Sequence, residues 1–120
     1  MKEPKSTNPE LIQLIRYLKK QGKEKNAYIW RELAKHLAKP RQQRAAVNLS
    51  RINRHTQKDD EVVVPGKLLA AGVLDHSVTV AAFSASEKAK EKLKTAKAKY
   101  LSIPELVEKN PQGSKVKIIR

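Results

Sequence analysis

The sequence predicts a mixed α/β fold, in which two N-terminal helices precede an irregular β-β-α layered domain with short strands. Three observations support this fold class. Apolar residues recur at helical spacing between residues 8 and 39. Short runs rich in β-branched residues then follow, separated by Gly, Pro and Asp. Strand-like and helix-like segments alternate over the rest of the chain, which favours a mixed α/β domain over an all-helical or all-β one.

The first two elements are predicted as helices because each has start and stop signals around an apolar stripe. Asn8 offers an N-cap oxygen, and Pro9 suits the first helical position. Gly22 is expected to end this first helix. Asn26 is expected to cap the second helix, and Pro40 to stop it.

The next segments are predicted mainly as strands. Residues 47–52 alternate, so Val47, Leu49 and Arg51 would share an inward face and Arg51 would be partly structural. The run 61–64 is rich in valine, and Pro65-Gly66 is expected to close it with a turn. Further predicted elements are strands at 78–83, 100–103 and 115–119, a helix from Ser84 or Ser86 to about Ala98, and a short helix from Pro104 through Lys109.

Length and charge define the domain organisation and the class of partner. The 120 residues suffice for one modest core, so we expect a flexible basic tail at 1–7 and a single domain at 8–120. The net charge is +14. Residues 1–58 hold fifteen Lys or Arg and four Asp or Glu, whereas residues 59–120 hold eleven and eight. A polyanion, most simply a nucleic acid, is therefore the expected partner of the strongly basic half at 8–58, while 59–120 forms a β-rich half.

The composition argues against several other classes. The chain has no cysteine, which excludes disulfides, thiolate catalysis and Cys-based zinc sites. No apolar run approaches the ~20 residues that span a bilayer. Residues 1–9 are polar and charged, without the apolar region of a secretory signal. We therefore expect a cytoplasmic protein that does not engage a membrane.

No arrangement in the sequence predicts catalysis. Asp75, His76 and Ser77 have the residue types of a triad, but three adjacent residues cannot converge on one reacting atom. The three histidines lack the spacing of metal ligands, and no carboxylate cluster accompanies them. We therefore predict a protein that is not an enzyme, with no catalytic residue, metal, cofactor or small-molecule substrate.

Residues 35–52, with Arg54 just beyond them, are the most informative part of the chain. The segment begins near the end of the second helix and is broken by Pro40. It is rich in arginine, whose planar guanidinium fits two phosphate oxygens at once, and amides lie between the arginines. It is thus the predicted contact with a nucleic-acid backbone. Its candidate binding residues are Arg41, Arg44, Asn48, Arg51, Asn53, Arg54 and His55.

The same segment follows a restrictive pattern of charged, aliphatic, proline and basic positions. The pattern is met at Lys35, Leu37, Pro40, Arg41, Arg44, Ala45, Val47-Asn48-Leu49, Arg51 and Ile52. This resembles the signature of the archaeal and eukaryotic ribosomal protein family L18e, which is distantly related to the bacterial family L-fifteen. The likeness continues through residues 61–67, 78–83, 102–106 and 115–120, and the short length resembles the archaeal members.

The resemblance implies a structural constituent of the large ribosomal subunit with a layered β-β-α architecture. It also implies binding to folded large-subunit rRNA, neighbouring ribosomal proteins as partners, and a monomer within the ribosome. Lysines outside the arginine-rich segment extend the predicted RNA-binding set. They are Lys2, Lys5, Lys19, Lys20, Lys23, Lys25, Lys39, Lys58 and Lys67.

A DNA-binding helix-turn-helix protein is the alternative. Helices at 8–21 and 27–39 joined by a Gly-containing turn match that motif, and the second helix offers Arg31, Lys35 and His36 to bases. This alternative leaves the arginines of residues 40–54 and the β-rich half without a role. Competition between duplex DNA and structured rRNA would discriminate the two.

Overall fold

The computed structural model describes residues 8–40 and 45–120. It confirms the mixed α/β class and the two leading helices. Arg41, Arg44, Lys2 and Lys5, together with the rest of the predicted tail, lie outside the described residues. The elements in chain order are α1 Pro9–Glu24, α2 Tyr28–Leu37, β1 Ala45–Asn48, α3 Leu49–His55, β2 Glu61–Leu69, β3 Thr79–Ala85, α4 Glu87–Thr95, β4 Lys99–Ser102, α5 Ile103–Lys109 and β5 Val116–Ile118.

All strand pairs of the sheet are parallel within the described residues. The strand order is β1-β2-β3-β4, and β5 also pairs with β2. Because β5 pairs with residues 61–63 of β2 and β1 with residues 66–69, the two short strands lie end to end along one edge of β2. This arrangement brings the end of the chain close to the start of β1.

Helices cover both faces of the sheet. Helices α1, α2 and α5 form one core with Val63 and Ala81. Helices α3 and α4 form the other core with Val62, Val64 and Val80. The centre of the sheet is buried on both faces, which explains why β2 is a continuous valine run rather than an alternating pattern.

Trp30 belongs to the first core and does not offer a stacking surface. It is fully buried, and its indole Nε1 donates to the backbone oxygen of Pro111 at 2.8 Å. This bond ties α2 to the turn before β5. The single tryptophan is therefore a core residue with a satisfied donor.

The expected turn at Pro65-Gly66 is wrong, because β2 continues through both residues. The register against β3 shifts between Val64 and Lys67, so one extra residue is accommodated on β2. Pro65 lies between the stretch paired with β5 and the stretch paired with β1. A proline, which has no backbone N–H, fits such an irregular position.

The expected cap of α2 is also wrong. Asn26 has a left-handed backbone with φ of 50° and lies in the turn after α1. The N-cap of α2 is Ala27, which makes no side-chain capping bond. Asn8 does cap α1, because its side chain accepts from the backbone nitrogens of Glu10 and Leu11.

Candidate nucleic-acid interface

The arginines after β1 lie on a helix and not on a strand. The alternation over residues 47–52 is interrupted at Leu49, where α3 begins. Leu49 and Ile52 are fully buried, and Thr56 is 8% exposed. Their spacing of three and four residues places them on one side of a helix. The strand prediction is therefore confirmed for Val47 and Asn48, which belong to β1, and wrong from Leu49 onward.

This change of element reverses the expected orientation of Arg51. Arg51, Arg54 and His55 are exposed on α3 and lie three and four residues apart, opposite the buried side. Among the described residues, no carboxylate forms an ion pair with either guanidinium. Both groups are free to meet an external phosphate, and the inward-facing role expected for Arg51 is wrong.

Two of the predicted binding residues, Asn48 and Asn53, form hydrogen bonds within the protein. Asn48 Oδ1 accepts from the backbone nitrogen of Ala71 at 3.2 Å, and Asn53 Oδ1 accepts from that of Asp75 at 3.0 Å. Residues 70–75, which connect β2 towards β3, are thus fixed against β1 and α3. A bond from the Asn53 side chain also lowers the pKa of Asp75, so Asn53 is engaged within the fold.

Lys92 of α4 fixes the same loop from the other side. Its Nζ donates to the carbonyl oxygens of Ala70 at 2.8 Å and Gly72 at 2.9 Å. The sequence shows Lys92 only as one of many lysines of α4. Its role depends on α4 and the loop lying side by side, which no local signal indicates.

The imidazole of His76 contacts the side chains of Asp75 and Thr56. His76 Nδ1 lies 2.8 Å from Asp75 Oδ1, and His76 Nε2 lies 2.7 Å from Thr56 Oγ1. Thr56 Oγ1 also donates to the carbonyl of Ile52 at 2.7 Å. The bond from His76 lowers the pKa of Asp75. These contacts join the end of α3 to the loop before β3, which is a structural role.

A second basic group surrounds the start of the connection to β1. Lys39 is half-buried just beyond the end of α2. Arg120 follows Ile119, whose nitrogen donates to the carbonyl of Val63. Burial lowers the pKa of His36, and the charges of Arg120 and Lys39 lower it further. The parallel register of β5 thus brings the last arginine next to α2, which sequence spacing could not show.

The remaining predicted lysines are divided between the two faces of the sheet. Lys19, Lys20, Lys23 and Lys25 lie on or just after α1, on the face opposite α3. Lys20 is 3.9 Å from Glu24 in an exposed ion pair. Lys58 and Lys67 are exposed on the turn after α3 and on β2. One flat ligand could not reach all of these groups.

Comparisons with known proteins identify the family. A family model described as "Ribosomal protein 60S L18 and 50S L18e" matches residues 1–120. The chain belongs to this family. The L18e resemblance of residues 35–52 is confirmed over the whole length of the chain.

Archaeal relatives of the L18e family are similar over nearly their full lengths, and each is named large ribosomal subunit protein eL18. The protein of Methanothermobacter thermautotrophicus is 47% identical over 113 residues, which cover 94% of this chain and 93% of the relative. That of Methanoregula boonei is 48% identical over 114 residues, with 95% and 94% covered. That of Methanococcus maripaludis is 46% identical over 119 residues, with 99% of each covered.

The relatives are named large ribosomal subunit proteins, so the prediction that the chain is not an enzyme is confirmed. Over residues 8–40 and 45–120, no helix is long and apolar enough to cross a membrane. The same residues contain no group of three or more His, Asp or Glu placed to hold a metal ion.

Proposed function

We propose that the protein is a structural constituent of the large ribosomal subunit and binds folded large-subunit rRNA. It would act as a monomer within the particle, in the cytoplasm, beside neighbouring ribosomal proteins. Family membership supports the ribosomal role. The observation that carries the RNA contact is the exposed face of α3, where Arg51 and Arg54 have no carboxylate partner among the described residues.

The mechanism is electrostatic attachment followed by orientation on phosphates. The net charge of +14 displaces counterions from the RNA backbone, so affinity falls as salt rises. Guanidiniums on α3 and in the connection at 41–44 then bind phosphate oxygens in a fixed direction. The exposed His55 and the Nδ2 group of Asn48 would reach 2′-hydroxyls or base edges, whereas Asn53 holds the adjacent loop in place.

The fold gives this surface a rigid support. Leu49 and Ile52 anchor α3 in the second core, and Asn53 joins it to the adjacent loop. A rigid helix reduces the side-chain and backbone entropy lost on binding. The α3 surface should therefore recognise an RNA shape that is already folded.

The helix-turn-helix alternative receives less support. Helix α2 packs its buried side on α1 and β2, and its exposed Lys35 is 3.3 Å from Glu32 in an ion pair. A DNA-binding role would leave the unpaired arginines of α3 without a ligand. Duplex DNA should compete with large-subunit rRNA only at concentrations typical of non-specific binding.

The proposal predicts that removal of the α3 arginines weakens rRNA binding without unfolding the protein. Arg51→Ala with Arg54→Ala should lower the affinity for a large-subunit rRNA transcript by at least about ten-fold and reduce the log–log salt slope by about two. Adding Arg41→Ala and Arg44→Ala should lower the affinity further. Filter binding across a salt series measures both quantities, and circular dichroism checks the fold.

The matched control is Arg51→Lys with Arg54→Lys. It keeps both charges but removes the planar donor fork, so the salt slope should stay near that of the wild type while affinity falls less than in the alanine pair. Wild-type affinity in the alanine pair at all salt concentrations would reject the α3 surface as the contact.

A further inference from the structure

A cleft of about 400 Å³ lies at the edge of the sheet where the parallel strands begin. It is formed by the loops before β2, β3, β4 and β5, and the first of these loops directly follows α3. The strand registers bring these loops together, because Glu61 is aligned with Thr79 and Val116, and Thr79 with Lys99. The charged groups that line it are Asp59, Asp60, Glu61, Lys97, Lys99, Lys109 and Lys115.

Two of its lysines occupy backbone conformations that lysine rarely adopts. Lys97 has φ of 59° and Lys115 has φ of 63°. The other described non-glycine residues with positive φ are Asn26 and Asp59, whose types tolerate this region. Both unusual residues therefore lie in the same cleft.

Glycine would fit both positions at no steric cost. Lys97 follows the end of α4, where its nitrogen donates to the carbonyl of Lys94 and that of Ala98 donates to Leu93. This is a Schellman motif, whose left-handed position is usually glycine. Lys115 is the third residue of a turn closed by Val116, also a position that favours glycine. A lysine in this conformation destabilises the backbone, so its side chain is expected to have a functional role.

Two of the three carboxylates of the cleft form ion pairs inside the protein. Lys109 Nζ lies 3.2 Å from Glu61 Oε2, and Lys117 Nζ lies 3.0 Å from Asp60 Oδ2. The bond donated by Gln57 and the ion pair with Lys117 lower the pKa of Asp60. The third carboxylate, Asp59, is exposed and accepts a bond of 3.5 Å from Ser77 Oγ.

Lys97, Lys99 and Lys115 make no side-chain hydrogen bond or ion pair with any residue that the structure describes. All three are exposed. Three ammonium groups around one concave edge outnumber the single carboxylate of Asp59, so this edge is net positive and attracts an anion with several oxygens. A phosphate run of an RNA backbone has this chemistry, and an RNA ligand is also consistent with the charge of the whole chain.

We propose that this cleft is a second RNA-backbone site, in which Lys97, Lys99 and Lys115 bind phosphates of a strand separate from the one on α3. The inference rests on the proposed rRNA-binding function and adds a second contact to it. In this proposal the left-handed conformations of Lys97 and Lys115 destabilise the backbone but place both side chains where they bind phosphates. The cleft adjoins the C-terminal end of α3, because Lys117 Nζ donates to the carbonyl oxygen of His55 and pairs with Asp60. The two contacts together would let one small domain hold two neighbouring segments of folded rRNA.

The test separates stability from binding. Lys97→Gly with Lys115→Gly should leave the melting temperature unchanged or raise it. Glycine relieves the left-handed backbone strain of the folded state, and the greater freedom of the unfolded chain offsets part of this gain. The same variant should bind a large-subunit rRNA transcript at least about five-fold more weakly, with a salt slope lower by about two. Lys97→Arg with Lys115→Arg keeps both charges and should retain binding.

Lys88→Ala with Lys94→Ala is the charge-matched control, since it removes two exposed lysines that do not line the cleft. A loss of affinity equal to that of the glycine pair would overturn the cleft as a distinct site, as would full binding by the glycine pair. A lower melting temperature of that pair would overturn the strain argument. Failure of the wild-type protein to bind rRNA would instead reject the proposed function itself.

Discussion

Gly66 is needed because β1 and β2 approach closely at this position, and not because the chain turns there. Next to Pro65 it has the typical sequence of a turn, yet it lies within β2 and pairs with Ala45 of β1. A Cβ atom on Gly66 would overlap the carbonyl group of Ala45. The glycine permits a close approach of two strands and not a reversal of the chain.

Gly66→Ala should therefore separate β1 from β2 and destabilise the protein. We expect the free energy of unfolding to fall by about 3 kcal/mol or more, in the range of overpacked cores. Urea denaturation followed by circular dichroism measures this change. Lys67→Ala, at the adjacent exposed position, should change the free energy by no more than about 0.5 kcal/mol. Equal stabilities of the two variants would contradict the close approach.

At the scale of elements, α3 shows why short apolar patterns are ambiguous. Val47, Leu49 and Ile52 fit both an alternating strand and the inner side of a helix that starts at Leu49. Whether Leu49 continues the strand or begins a helix depends on where β2 ends. Asn48 of β1 pairs with Leu69, the last residue of β2, so no β2 residue remains to pair with Leu49. Packing of Leu49 and Ile52 on the second face of the sheet then favours the helix, and this turns Arg51 outward.

Helix α5 has a strong local signal instead. Ser102 Oγ accepts from the nitrogen of Glu105 at 3.3 Å, and Glu105 Oε1 accepts from the nitrogen of Ser102 at 2.9 Å. This capping box, with Pro104 in the first turn, defines where the helix begins. The expected helix from Pro104 through Lys109 agrees with the structure to within one residue.

Ser102→Ala should lower the free energy of unfolding by about 1 kcal/mol, since it leaves a helix N–H without its partner. Glu105→Gln keeps an oxygen acceptor for the nitrogen of Ser102 and should cost less. Chemical denaturation of both variants gives the comparison. If the glutamine variant were the less stable of the two, the charge of Glu105, rather than the serine cap, would dominate.

Acidic groups link the stability of the whole molecule to pH. A hydrogen bond from Tyr28 lowers the pKa of Glu32, and bonds from the backbone of Gln57 and Ser102 lower the pKa of Asp60 and Glu105. The unfolded chain therefore binds protons more tightly at these groups than the folded protein does. Their stabilising contribution is present above the unfolded pKa of about 4 and is lost as pH falls through the folded values.

The melting temperature should accordingly fall as the pH decreases from about 5 to about 2. His36 adds a smaller fall of the same sign that begins near pH 6.5, because burial lowers its pKa. Calorimetry over this pH range measures the effect, and Asp60→Asn with Asp75→Asn should flatten the acid limb. A curve that is flat down to pH 3 would show that these carboxylates do not prefer the folded environment.

The sequence by itself determined the fold class, most element positions, the basic character and the family. These properties follow from local patterns: helix caps, β-branched runs, charge and the motif at residues 35–52. Only the tertiary structure decided which side chains are free for a ligand. Strand pairing turned Pro65-Gly66 from a turn into part of β2, and packing on the sheet exposed Arg51 and engaged Asn48 and Asn53 in loop contacts. It also brought Lys97 and Lys115 to one cleft, because the register of a parallel sheet aligns loops that are far apart in the chain.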